Sequence, residues 1–278
     1  MFYRDVKRRI RVGVQLWQGG TPDYATWRAA VLRAEAIGTD VIFGYDHFHR
    51  PALEAIVDAT AVLQSAQPDV NNFEGWTALA SWGEITKHAE IGLMVTGIAY
   101  RNPDLLADMA RTVDHISGGR LILGLGTGWY EKDYTTYGYE FGTLAQRLDL
   151  FDANLRRIED RLAKLNPAPL RPVPILIGGG GERRTLPAVA RHAHIWHIYP
   201  SGIADYRRKS TLVDELAEAN GRLRGDIERS VGWTDEDSGE EYLRAGVTLF
   251  TVSIRPTEQG FDFTALERLL RWRDTLSG

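Results

Sequence analysis

An α/β chain forming one (β/α)8 TIM barrel is the fold this sequence predicts, on three observations. Short apolar runs alternate with longer amphipathic ones along the chain, the pattern of parallel βαβ units. The alternation reaches eight strand–helix pairs, where a doubly wound sheet usually stops sooner. No proline- or serine-rich linker and no internal repeat divides the 278 residues, so residues 1–278 read as a single barrel domain.

The elements follow in order. Residues 11–17 (RVGVQLW) form the first strand, and Thr21 and Pro22 supply an N-cap and first-turn proline to a helix ending near Gly38. Residues 40–44 (DVIFG) are the second strand, followed by a loop region and a helix over about 74–87. The third strand is 90–96 with its helix at 103–117, and the fourth is 120–125. A polar, aromatic segment over 129–143 reads as a loop across the barrel mouth, before a long helix from about 144 to 165. Strands five to eight fall at 173–177, 195–198, 230–233 and 247–254. Their helices fall at 183–192, 204–223, 240–244 and 263–276.

Composition narrows the function. The chain is 44% hydrophobic and 25% charged, an ordinary globular mix, and its net charge of −4 argues against a chain built mainly to grip nucleic acid. There is no cysteine, which excludes disulfides, thiol nucleophiles, iron–sulfur clusters and thiolate zinc sites. No run approaches the roughly 20 apolar residues of a membrane span. The basic start, residues 1–9, lacks the apolar block of a secretory signal, so a cytoplasmic protein acting on a small molecule is the expectation.

Barrel sites are built at the C-terminal ends of strands. After strand five, Gly178, Gly179, Gly180 and Gly181 end a strand and open a helix. Their bare backbone amides suit an anion, with Arg183 and Arg184 close by. A flexible turn is the alternative reading. After strand two, Asp46 and His47 suit proton transfer near neutral pH. His47 and His49 also make a His-x-His pair, as in metal-dependent barrel hydrolases, or His47 simply fills the mouth. His192, His194 and His197 read as structural, as does His115 at a helix end. Trp129, Tyr130, Tyr134, Tyr137, Tyr139 and Phe141 crowd the mouth segment and suit either a roof over a flat ring or a packing lid or interface. Glu131 and Asp133 are the acids near its start, each a proton donor or merely solvated.

Taken together, Tyr45-Asp46-His47-Phe48, Val95-Thr96-Gly97, Tyr100-Arg101-Asn102-Pro103, residues 114–121 (DHISGGRL), 123–129 (LGLGTGW) and 177–186 (IGGGGERRTL) are distinctive. The set resembles the bacterial luciferase-like monooxygenase superfamily, in particular its oxidoreductases that use the deazaflavin coenzyme F420. The resemblance implies a TIM barrel and an enzyme moving hydride between reduced deazaflavin and an activated C=C, C=N or carbonyl group. It implies Asp46 and His47 beside the ring, with His47 as the acid or its relay and Asp46 fixing it. A non-prolyl cis peptide near Leu93-Met94, with Thr96 beyond it, would back the ring. Thr127 and Gly128 would line its other side, and Gly178 to Gly181 with Arg183 would hold the phosphate. Sugar-phosphate dehydrogenases of the family carry a glutamate directly after the Thr-Gly pair, where this chain has Trp129. That points away from a sugar phosphate and leaves Trp129 to cover the substrate and Glu131 as a nearby acid. Flavin mononucleotide in the same site, serving an oxygen-using monooxygenase, is the second reading. A metal-dependent hydrolase on His47 and His49 and a non-catalytic deazaflavin carrier are the others. Pairing through the barrel helices would give a homodimer.

Overall fold

In the computed structural model, which describes residues 9–51, 53–57, 60–63 and 69–276, each of the eight predicted strands is present. They are β1 (Arg11–Leu16), β2 (Val41–Gly44), β3 (Glu90–Leu93), β4 (Leu121–Gly126), β5 (Ile175–Gly178), β6 (Ile195–Ile198), β7 (Glu228–Gly232) and β8 (Val247–Ile254). Each pairs in parallel with its sequence neighbours, and β8 returns to β1 with Arg11 opposite Leu249 and Leu16 opposite Ile254. The ring is closed. This is the (β/α)8 barrel expected, and closure leaves the ring no exposed strand edge.

Strand alternation sorts the core into two layers. Val12, Val14 and Leu16 of β1, Ile91 and Leu93 of β3, and Trp196 and Ile198 of β6 face outward and pack against the helices. Val41, Phe43, Ile122, Leu176, Ile195 and Leu249 face inward and plug the barrel. Each such buried side chain is worth about 1.5–3 kcal/mol relative to exposure. Below the plug, Arg11 pairs with Glu90 and, at 2.7 Å, with Glu228, and Arg171 also reaches Glu90. Above the plug the inward positions turn polar, and there the mouth begins.

The helices are α1 (Tyr24–Ala36), α2 (Gly75–Ile85), α3 (Pro103–Ser117), α4 (Glu131–Tyr137), α5 (Leu144–Leu162), α6 (Thr185–His192), α7 (Ile203–Ala219), α8 (Glu236–Arg244) and α9 (Thr264–Thr275). At α3, sequence and structure coincide in the span Pro103–Ser117. Asn102 caps α3 by accepting from the Asp104 and Leu105 amides, Pro103 opens it, and Gly118 at φ 68° closes it. At α1 the cap is Asp23, which accepts from the Thr26 amide at 2.7 Å, rather than Thr21. The hydroxyl of Thr21 instead turns back to the Trp17 carbonyl. Outside the expectations lie a hairpin of Leu53–Val57 with Thr60–Leu63, a second of Pro256–Thr257 with Gly260–Phe261, a 3-10 turn at Arg224–Asp226, and α4 inside the segment read as a loop.

Strand three is interrupted. Pairing to β4 stops after Gly92 and resumes at Thr96–Gly97, and the Met94–Val95 peptide between is cis, one residue beyond the position expected. The bulge explains the alternate glycines of β4. A Cβ on Gly124 would collide with the Leu93 carbonyl oxygen, and one on Gly126 would lie 2.6 Å from Val95 Cγ2. Leu93 itself points outward, against Gly44 and Gly75, so only its backbone borders the interior.

Candidate active site

The mouth is organised around a carboxylate that sequence reasoning set beside Glu131 without choosing it. Asp133, in the first turn of α4, is fully buried. Its Oδ2 takes His47 Nδ1 at 2.7 Å and the Tyr100 hydroxyl at 2.9 Å. Its Oδ1 takes His49 Nδ1 at 2.8 Å and the His49 amide at 3.1 Å. Burial opposes charge on Asp133, but the hydrogen bond and charge of His47, with His49 and Tyr100, hold the carboxyl below its usual range. Burial and the neighbouring Asp133 raise the Tyr100 phenol, which therefore stays a donor. An ionised Asp133 fixes the His47 proton on Nδ1 and leaves Nε2 as the working nitrogen.

The acid fixing His47 is thus Asp133 and not its neighbour Asp46. Both oxygens of Asp46 are taken by Arg101, at 2.6 and 2.9 Å, and Arg101 also reaches Glu74 at 2.7 Å. Burial pushes the Asp46 carboxyl up to about 6 against the pull of Arg101. The two histidines of the His-x-His pair spend their Nδ1 atoms on one carboxylate. Among the described residues no group of three His, Cys, Asp or Glu side chains is placed to hold a metal ion.

Aromatic rings close around this hub. The His47 ring meets Trp129 edge-on at 5.1 Å and Tyr130 at 5.6 Å. Phe48 packs against Tyr100 at 4.6 Å and Tyr137 at 4.3 Å. Arg147 of α5 ties down the mouth segment by donating to the carbonyls of Gly128, Phe141 and Gly142. Gly128, at φ 79°, leaves the space that the Tyr134 hydroxyl fills. Glu131 is an exposed first-turn residue of α4 that takes no part in the hub. The signal for α4 was present: acids at 131 and 133 in a first turn and Gly138 as a left-handed cap.

Across the mouth, β5 runs into the four glycines. The amides of Gly180 and Gly181 have no hydrogen-bond partner among the described residues, while Gly179 donates to the His197 carbonyl at 3.0 Å. Gly179 has φ 117°, a conformation other residues avoid. A Cβ on Gly180 would meet Ile198 Cδ1 at 2.9 Å and Lys209 Nζ at 3.4 Å. Lys209, buried on α7 and paired with Asp205 at 2.8 Å, therefore sits against the loop, a cation that sequence reasoning missed. Arg184 is committed to Asp149 and Asp152, and Arg183 is exposed. Gly178 faces Val95 of the bulge, whose Cγ1 would lie 3.4 Å from a Cβ there. Met94 lines the interior and its carbonyl accepts from Gln15 at 2.6 Å, whereas the Thr96 hydroxyl is engaged by Trp76 at 3.0 Å. Thr127 is half-buried at the end of β4.

Between the two sides, inside the barrel, lies His197, whose Nδ1 meets Ser230 Oγ at 2.9 Å. Burial holds its pKa down to about 4, against an ordinary 6.5 or so. A neutral buried imidazole stabilises the fold above pH 6.5 and loses that advantage as pH falls toward 4, a change of about 3 kcal/mol. Asp46, raised to about 6, works in the opposite direction over the same range, so the effect is read as a difference. Denaturant unfolding of wild type and His197→Leu should show the variant gaining about 3 kcal/mol on wild type between pH 7 and pH 4. Parallel pH profiles would contradict the burial of this group.

The family model for luciferase-like monooxygenases matches residues 9–234, well over half of the chain. The chain belongs to the luciferase-like monooxygenase family. This family member is an enzyme. It is 29% identical over 227 residues to the F420-dependent glucose-6-phosphate dehydrogenase of Intrasporangium calvum, covering 72% of this chain and 62% of that one. It is 42% identical over 132 residues to a putative coenzyme F420-dependent oxidoreductase of Mycobacterium tuberculosis, covering 45% of this chain and 31% of that one. In structure it is similar to the coenzyme F420 dependent tetrahydromethanopterin reductase of Methanopyrus kandleri, with TM-score 0.66 and 17% identity over 91% of this chain and 96% of that one. An F420-dependent secondary alcohol dehydrogenase gives TM-score 0.71 at 16% identity, over 88% and 93% of the two chains. At such identities the structural likeness speaks for the fold. Among the described residues no helix is long and apolar enough to cross a membrane.

Proposed function

We propose that this luciferase-like enzyme is a coenzyme F420-dependent oxidoreductase acting on a small molecule with an activated C=C, C=N or carbonyl group. The observation that carries the reading is a single mouth with two unlike walls. On one wall stands an imidazole held by a buried carboxylate, and on the other a glycine loop whose Gly180 and Gly181 N–H groups have no hydrogen-bond partner among the described residues. When bound, a deazaflavin supplies hydride transfer, the chemistry no side chain of this protein provides.

The residues present fit such a cofactor. Gly180 and Gly181 offer amides without partners among the described residues in the turn leading into α6, and Lys209, ion-paired with Asp205, places its ammonium against Gly180. Val95, Met94 and the polar interior positions form the floor, and Thr127 and Gly128 border the β4 side. Trp129, 39% exposed and packed on His47, is positioned to cover a substrate and exclude water. His47 Nε2 holds or delivers the proton, with Asp133 compensating the charge on the imidazolium. Arg183, exposed beyond the loop, adds long-range attraction for an anionic tail.

Fluorescence titration of the protein with F420 and, separately, with flavin mononucleotide tests the reading. Tighter binding of F420, followed by turnover on a panel of enones, imines and ketones, is expected. Preference for flavin mononucleotide with oxygen uptake would replace it by the monooxygenase reading. Gly180→Val should weaken F420 binding on the order of tenfold or more, about 1.4 kcal/mol per decade, with an unchanged circular dichroism spectrum. Equal affinity would remove the cradle.

A further inference from the structure

His197 carries a buried ring nitrogen that neither the proton relay nor the amide cradle uses. The residue is 3% exposed. Its neighbours Trp196 and Ile198 belong to the outer layer and Ile195 to the interior plug, so alternation turns the imidazole into the barrel. Register sets it beside Gly178 of β5 and Ser230 of β7, and its carbonyl accepts the Gly179 amide. It therefore stands on the plug at the foot of the glycine loop, next to the Gly178 position against which Val95 packs. Tyr199 meets its ring edge-on at 4.8 Å.

Nδ1 is taken by Ser230 Oγ, whereas Nε2 is enclosed and has no hydrogen-bond partner among the described residues. Packing does not call for this. An apolar residue of similar size would fill the place without an orphaned polar atom, and buried polar groups in folded proteins are paired with few exceptions. The other enclosed polar atoms without partners include Tyr24, Trp82, Tyr206, Trp233 and Trp272, none of which lies on the inward face of the barrel. The Tyr134 hydroxyl, also without a partner, lies in α4 against Gly128; among the described residues His197 alone of this set stands on a barrel strand, on the inward face shared with Gln15, Thr251 and, at the open end, exposed Ser253.

We propose that His197 Nε2 is a ligand-contact atom, hydrogen-bonding the polar edge of the heteroaromatic cofactor ring that enters the mouth. This rests on the cofactor reading above. With the Ser230 hydroxyl donating to Nδ1, the single ring proton of the neutral imidazole sits on Nε2, a donor matched to a ring carbonyl oxygen. Burial keeps that imidazole neutral, so the contact adds direction and register without adding a charge.

Wild type, His197→Gln and His197→Leu are titrated with F420 and with flavin mononucleotide by fluorescence, and the thermal midpoint of each ligand-free protein is measured. The expected result is binding about tenfold weaker in His197→Leu and within about threefold of wild type in His197→Gln. The ligand-free leucine variant should melt at or above wild type. Unchanged affinity in His197→Leu, or weaker affinity with an equal fall in the melting point of the free protein, would make His197 structural and overturn the proposal. If the leucine variant does not fold, Ser230→Ala releases Nδ1 and should weaken binding several-fold, and unchanged affinity there is equally fatal. Wild type that binds neither cofactor overturns the cofactor reading itself, and wild type that binds only the flavin tests the same contact on that ring.

Discussion

Asp133→Leu should cost this protein about 3–5 kcal/mol of stability, the usual consequence of removing one partner from a buried charged cluster. Four hydrogen bonds end on that carboxylate: those of both histidine rings, the His49 amide and the Tyr100 hydroxyl. Leucine leaves each donor without an acceptor in a place water does not reach, so the loss exceeds that of a single ordinary hydrogen bond. It also loosens α4 from the β2 loop, because Asp133 bonds α4 to both His47 and His49. For a chain of this size the melting temperature should drop by roughly 10 °C. Asp133→Asn separates the structural from the chemical part. The amide keeps the shape and one acceptor oxygen, but it turns an N–H toward one imidazole and reverses that ring's tautomer. Stability should fall less than in the leucine variant while turnover falls about 10²-fold or more. A folded asparagine variant with wild-type turnover would show that Asp133 only clasps the mouth segment.

The barrel was legible because its signals are local and repeated. Each strand is a short apolar run, and α3 carries its cap, its opening proline and its closing glycine in the sequence itself. Even the alternate glycines of β4 have a local cause in the backbone of Leu93 and the side chain of Val95. The hub was not legible, because its partners lie far apart. His47 and Asp133 are separated by 86 residues, and Asp46, next to His47 in sequence, is drawn off by Arg101. Adjacency in the chain suggested the wrong acid. Lys209 escaped for the same reason, since it reaches Gly180 from α7, one βα unit beyond the loop. The glycines could be read as a cradle, whereas the charge behind them could not.

His47→Ala should reduce turnover by about 10²-fold or more while leaving cofactor affinity within a small factor. The ring is held on three sides, by Asp133 at Nδ1 and by Trp129 and Tyr130 against its faces and edges, so Nε2 has a defined position and is the nitrogen left for chemistry. His49 supplies the control. It too spends Nδ1 on Asp133, but its ring neighbour is the exposed Tyr137, 6.0 Å away, and not Trp129. His49→Ala removes one bond of the clasp and should destabilise the protein by about 1–3 kcal/mol, with turnover reduced only a few-fold. The two variants therefore move different quantities: His47→Ala the chemical step, His49→Ala the unfolding midpoint. Single-turnover kinetics beside denaturant unfolding distinguish them. Equal losses of turnover in both variants would mean that the histidines act only through Asp133, as parts of the clasp, and that the proton comes from another group.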